Sequence, residues 1–239
     1  MCGLTHSTAR AGPAPHVWEC SLNYCYGDVV PRPRGFDEEQ IIDRAMELFW
    51  TRGYEATSVA DLTEELGVHP GSLYRTFGDK HALFLRALTR YRDSQARALA
   101  PALLAGGPVL PRIRAALLGF IELAAEQDKP RGCLAANTVG ELLPGDAEVA
   151  AGVAGVLSDV EDGFLQGLRL AARQGEIPGT LDLPGWAATL TMLVQGLQVV
   201  AKADPDPRRL VRGVDAALLA LAAVPDGDTR GRGLTGQET

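Results

Sequence analysis

Three sets of residues in this 239-residue chain have types and spacings that could do chemistry. The densest is the run His69-Pro70-Gly71-Ser72-Leu73-Tyr74-Arg75, followed closely by Lys80 and preceded by Thr57 and Ser58. These side chains are hydroxyls, an imidazole, a phenol, a guanidinium and an ammonium, so hydrogen-bond donors dominate and no carboxylate stands within the run. Presented from a short helix, such groups suit base edges and phosphate oxygens rather than bond-making, and the fork of Arg75 matches the O6/N7 pair of a guanine. The second set is the thiols. Cys2, Cys20 and Cys25 lie near His6 and His16, but no C-x2-C or H-x3-H pair is present, so no metal site is expected. Cys133 follows Arg131 and Gly132 at a helix start, where the helix dipole and nearby charge would favour a thiolate; an inert buried cysteine is the other reading. The third set would be a catalytic constellation. There is no glycine-rich phosphate loop, no H-E-x-x-H and no G-x-S-x-G, and His69 and His81 are not clustered with the other histidines. The chain therefore reads as a non-enzyme that needs no cofactor.

The elements that must position the first set can be read from caps and apolar spacing. Asp37 caps a first helix, with Gln40 at N3 and a stripe of Ile42, Ala45, Met46 and Phe49 that ends at Gly53. Ser58 caps a second, with Asp61 at N3 and Val59, Leu62 and Leu66 on one face, stopped by Gly67. A third, very short helix starts with Pro70 at N1, turns Leu73 and Phe77 inward and stops at Gly78. Asp79 caps a fourth, running to about Leu99, whose stripe is Phe84, Ala87, Leu88 and Tyr91. The second and third helices, joined by Gly67-Val68-His69, form a helix-turn-helix.

Beyond residue 105 the pattern is helical throughout, with expected helices over 109–127, 133–143, 147–174, 183–203 and 207–224 and proline or glycine breaks between them. No alternating strand pattern survives, so the fold class is all-α: an N-terminal three-helix helix-turn-helix domain and a C-terminal helical domain. The expected divisions are a disordered tail over 1–35 carrying a basic arm at Arg32 and Arg34, a helix-turn-helix domain over 36–91, a second helical domain over 92–224, and a flexible tail over 225–239. A true start at Val29 or Val30 would remove most of the first tail. The net charge of −7 excludes coating of nucleic acid by bulk electrostatics, so any DNA contact must be local. No apolar run reaches a membrane span, and Pro13, Pro15, His16 and Glu19 interrupt any signal-peptide core, which points to the cytoplasm.

The segments Gly53-Tyr54-Glu55-Ala56-Thr57-Ser58-Val59, Asp61-Leu62-Thr63-Glu64-Glu65-Leu66-Gly67-Val68 and His69 to Lys80 resemble, spacing for spacing, the signature of the tetracycline-repressor (TetR) family. That resemblance implies a repressor binding a palindromic double-stranded DNA operator as a homodimer and released by a small-molecule effector. It also implies that Thr57, Tyr74 and Lys80 clamp phosphates, that Ser58 flanks them, that Gly71 lets backbone approach DNA and that Ser72 donates to a phosphate or a base. Arg75 is expected to set sequence preference. His69 replaces the usual serine at the cap of the reader helix and is a poorer cap, and Thr76 stands where the family often has His or Tyr. The resemblance makes 36–91 the DNA-binding domain and 92–224 the ligand-binding and dimerisation domain, and places the ligand behind residue 105, where Phe120, Asn137, Phe164, Trp186, Met192 and Gln195, with Cys133, are the expected pocket residues. A helical ligand-binding dimer that has lost DNA binding is the alternative function.

Overall fold

In the computed structural model the residues described are 37–125, 131–204 and 206–223. The expected tails, with Arg32 and Arg34, and the side chain of Phe120 lie outside them. Helices form where the capping residues allow. Asp37 Oδ1 accepts the Glu39 N–H at 3.0 Å and starts α1 (Glu38–Arg52); the bond goes to N2 rather than into the box expected with Gln40. Ser58 and Asp61 make the reciprocal capping box of α2 (Val59–Leu66), and Gly67, at φ 65°, ends it in the left-handed conformation that glycine adopts without strain. α3 (Pro70–Phe77) follows, and Asp79 Oδ1 then accepts the Ala82 N–H at 2.7 Å to cap α4 (Lys80–Tyr91). Leu62, Leu73 and Phe84 are fully or almost fully buried, and Phe84 meets Phe49 edge-on at 5.1 Å and Tyr54 at 4.9 Å. Burial of Leu73 and Phe77 fixes the rotation of α3, and therefore which of its side chains face outward.

The fourth helix departs from expectation. It passes without a break into a π-helical turn (Arg92–Ala96), then into a separate α5 (Leu99–Leu104). Residues five apart on an α-helix point about 140° away from each other, whereas the wider winding, marked by the Arg97 N–H to Arg92 O bond of 3.1 Å, turns both arginines toward one carboxylate. Arg92 grips Asp159 through two bonds of 2.6 and 2.8 Å, and Arg97 adds a third at 3.0 Å. Arg92 and then Arg97 hold the Asp159 carboxyl below the usual range.

The remaining elements are α6 (Val109–Ala125), α7 (Leu134–Leu142), α8 (Ala147–Gln174), α9 (Leu183–Ala203) and α10 (Pro207–Ala222), so the described residues are all helical with no strand. α8 is the spine, packing against α4, α5, α6, α7 and α9. Two of its glycines exist for close approach: a Cβ at Gly152 would lie 2.7 Å from Leu88, and one at Gly167 2.9 Å from Leu103. α9 is long and apolar enough to cross a membrane by length and composition, with a mean hydropathy of 1.2, contrary to the reading that no run approaches a span. Its packing against α8 and α6 buries Leu190, Val194 and Leu197 and accounts for part of that character.

Candidate nucleic-acid interface

The short third helix is held from both ends. His69 caps it: Nδ1 accepts the Gly71 N–H at 3.3 Å, so the imidazole fills, through one long bond, the place that a serine would have taken. With Nδ1 engaged as an acceptor, Nε2 carries the proton and, on an exposed residue, is free to donate outward. Leu73 and Phe77 anchor the opposite face. Outward stand Tyr74, 47% exposed, and Arg75, whose one described bond is a long 3.4 Å contact to Ser72 Oγ. A Cβ at Gly71 would meet only His69 Nδ1, at an ordinary 3.6 Å, so nothing inside the chain requires glycine there; the open space in front of the backbone does.

Around this helix the structure sorts the remaining expected residues. Lys80 is partly buried, its ammonium 2.9 Å from the Tyr54 carbonyl and 4.0 Å above the Tyr54 ring. One of its three N–H donors is thereby used and the position of the charge is fixed. Burial, then Glu55, Asp79 and Asp146, push the Tyr54 phenol upward, so it stays neutral beneath the lysine. Ser58 is exposed but its hydroxyl belongs to the capping box, accepting from the Asp61 N–H at 3.1 Å and donating to Asp61 Oδ2. Among the described ion pairs, Arg44 meets Glu65 and Arg52 meets Asp61, while Arg75 and Lys80 take no carboxylate. Within α1 to α4, where Arg86 and Arg90 are also paired, the positive charge left for an anion among the described residues is therefore that of Arg75 on the outer side of α3 and Lys80 at the start of α4.

Thr57 is different. It is completely buried, and its hydroxyl donates to the Gly53 carbonyl at 2.6 Å, closing the turn between α1 and α2. The expectation of a hydroxyl presented to phosphate is not what the structure places there; Thr57 shapes the turn that seats Lys80. Thr57→Val should accordingly cost about 1–3 kcal/mol by leaving that carbonyl without its donor, whereas Thr57→Ser should keep both stability and any DNA affinity. Thermal melting of the two variants checks this, and an unchanged Thr57→Val melt would return Thr57 to the surface role.

Among the described residues, the cavities do not gather the expected ligand residues. Phe164 is wholly buried in the core, while Met192 is 66% exposed on α9. Asn137 is a strut, its amide donating to the Arg131 carbonyl at 2.8 Å and its oxygen accepting from Lys202 at 2.9 Å, beside a cleft of about 280 Å³ lined also by Trp50, Arg131 and Glu141. Trp186 packs half-buried on the core, and Gln195 Oε1 is buried without a hydrogen-bond partner. Cys133 is 2% exposed and accepts from the Tyr91 hydroxyl at 3.4 Å. Burial first, and the Cys133 sulfur second, push the Tyr91 phenol far upward, so a proton stays on that oxygen. The thiol is closed to solvent, which corrects the reading of a reactive thiolate in favour of the inert one.

Sequence reasoning missed the seat of Lys80 on Tyr54, although Tyr54 lies inside the recognised motif, and it missed the polar contacts that tie α1 and α4 to α7, α8 and the segment before α7. Trp50 Nε1 donates to the Gly132 carbonyl at 2.9 Å with the Arg131 guanidinium 4.5 Å above its ring. His81 Nε2 lies 2.6 Å from Asp146 Oδ2. Such pairs join residues far apart in sequence and leave no local pattern.

Comparison with known proteins gives a consistent picture. Residues 41–87 match the family described as bacterial regulatory proteins, tetR family, and residues 109–217 match the tetracyclin repressor-like C-terminal domain. The chain is 34% identical over 191 residues to the uncharacterized HTH-type transcriptional regulator YezE of Bacillus subtilis, covering 80% of this chain and 98% of that protein. It is 31% identical over 185 residues to the HTH-type transcriptional repressor ComR of Escherichia coli, covering 76% and 87%. Among solved structures it resembles the TetR family transcriptional regulator CifR, a cysteine mutant complexed with a 26-base-pair operator DNA, with 30% identity, a TM-score of 0.68 and coverage of 80% and 99%.

Proposed function

The chain belongs to the TetR family of bacterial regulatory proteins, and from that premise we propose that it is a ligand-responsive transcriptional repressor that binds a palindromic operator as a homodimer. A small molecule bound in the C-terminal domain releases it. The observation that carries the reading is the outer side of α3, where His69, Gly71, Tyr74 and Arg75 stand exposed beside the fixed charge of Lys80. A helix-turn-helix presents such a face to the major groove, with its N-terminal residues against base edges. ComR is a repressor and the CifR structure holds operator DNA, which supports the same assignment here. The relatives are transcriptional regulators rather than enzymes, and a protein acting on the chromosome of a bacterium works in the cytoplasm.

On this reading residues 36–91 are the reader and 92–224 the sensor, the division falling where α4 enters its π-helical turn. Tyr74 and Lys80 hold phosphate, Ser72 and the Nε2–H of His69 donate at the groove edge, and Arg75 reads a base. Phosphate contacts position and base contacts specify. Tyr74→Phe and Lys80→Ala should therefore weaken binding to all sequences, Lys80→Ala lowering the slope of log affinity against log salt by about 1. Arg75→Ala should cost about 1–3 kcal/mol and relax preference at one base pair per half-site. Fluorescence anisotropy with the DNA upstream of its own gene, against unrelated DNA of equal length, measures all three. If the wild-type protein does not distinguish the two DNAs, the proposal fails; if Arg75→Ala weakens both equally, only its role as a base reader does.

A further inference from the structure

We propose that Asp146, seconded by Glu141, is a positioning residue for DNA binding: through His81 it holds the first turn of α4, and with it Lys80, where a phosphate must lie. The inference rests on the DNA-binding reading above.

Glu141 stands in the last turn of α7 and Asp146 caps α8, both on the sensor side, and each grips one side of the corner that seats Lys80. Glu141 Oε2 accepts the Glu55 N–H at 3.0 Å, and its carboxylate lies so close to Gly53 that a Cβ there would sit 2.6 Å from Oε1. Asp146 divides its two oxygens. Oδ1 accepts the Glu148 and Val149 N–H groups at 3.1 and 3.0 Å and caps α8, while Oδ2 receives His81 Nε2 at 2.6 Å. His81 directly follows Lys80, so pinning its ring fixes how the first turn of α4 is rotated. Lys80 in turn donates to the carbonyl of Tyr54, in the same turn that Glu141 grips. The charged and titratable groups at this corner are Asp79, Lys80 and His81 at the start of α4, Tyr54 and Glu55 in the turn after α1, and Glu141, Asp146 and Glu148 opposite; Glu148 Oε2 stands 3.9 Å from His81 Nδ1.

The Val149 N–H and then His81 hold the Asp146 carboxyl below the usual range, so Asp146 meets the ring as a carboxylate at neutral pH.

Asp146→Asn separates the two jobs of this residue, because asparagine caps a helix as well as aspartate does but offers no charge to His81. His81→Gln keeps a hydrogen-bond donor but removes the ring that Asp146 holds. Affinity for the upstream DNA, measured by anisotropy over a range of salt concentrations with melting temperatures alongside, gives the test. Each variant should bind about 3- to 10-fold more weakly than wild type with melting points within a few degrees, and should lower the slope of log affinity against log salt toward that of Lys80→Ala. Lys80→Ala should also cost less in the Asp146→Asn background than in the wild type, because the lysine it removes is already out of place. If both variants bind as wild type does, or if Lys80→Ala costs the same in both backgrounds, the inference is overturned while the DNA-binding reading stands. Wild-type protein that binds no DNA would overturn both.

Discussion

A glutamate in place of Val199 or Leu219 is expected to turn the dimer into monomers and to lower operator affinity by at least two orders of magnitude. Val199 is 58% exposed, Leu219 74% and Met192 66%, which is unusual for large apolar side chains on a packed domain. They are not scattered. The exposed positions Thr189, Met192, Gly196, Val199 and Ala203 alternate three and four residues apart along α9, the spacing of a seam between two helices. α10 adds the exposed Leu219 beside the exposed Gly213, Ala216 and Ala220, which are small enough to let a neighbouring helix come close. In the most apolar window of α9 only 33% of residues are buried within the chain itself, so the same apolar composition that passes for a membrane span leaves a face with no partner inside the protomer. Burying one such side chain contributes about 1.5–3 kcal/mol, and a second copy presents the same face by two-fold symmetry. A buried glutamate without a partner reverses that gain by several kcal/mol, and each 1.4 kcal/mol is about a factor of ten. Because two reader helices must reach two half-sites together, losing the dimer removes half of the DNA contacts at once. Light scattering after size exclusion, with anisotropy on the same samples, checks it. A Val199→Glu protein that remains dimeric and binds as before would show that the copies meet elsewhere.

What could be read in the sequence follows a physical division. Helices whose ends are set by local chemistry were legible: Ser58 with Asp61, Gly67 in the left-handed region and Pro70 at N1 mark α2 and α3, while proline and glycine breaks bound α8 and α9, which run over the residues expected. The reader face was legible for the same reason, because the outward side of a short helix is known once Leu73 and Phe77 point inward. The π-helical turn was not. Its winding is imposed by Asp159, which lies 67 residues beyond Arg92 and is approached across a groove that α8 keeps open with glycine. Thr57 misled in a related way: a hydroxyl at the end of a loop looks available until Gly53, four residues earlier, accepts it. The amide of Asn137 suggested a ligand, but its partners Arg131 and Lys202 come from two different elements. Residue type tells what a group could bind, whereas tertiary contacts decide whether it is already bound.

Phe164→Ala is where that distinction has its largest consequence. As a pocket wall, Phe164 would border space, and its removal would change stability little while altering the response to effector. As the structure has it, the side chain is 0% exposed in the middle of α8, the helix against which α5, α6 and α9 all pack. Removing a buried phenylalanine deletes its transfer energy and leaves a cavity that close-packed neighbours only partly fill, at a cost of about 3–5 kcal/mol. In a domain of this size each kcal/mol lowers the melting temperature by about 2–4 °C, so a fall on the order of 10 °C is expected. Phe164→Leu, which retains much of the volume, should cost clearly less. Urea denaturation and thermal melting of the two variants in the absence of effector measure this, since any effector present would stabilise the folded form and mask the loss. A drop of only 1–2 °C for Phe164→Ala would mean that the space around the ring already exists and would restore Phe164 to the ligand pocket.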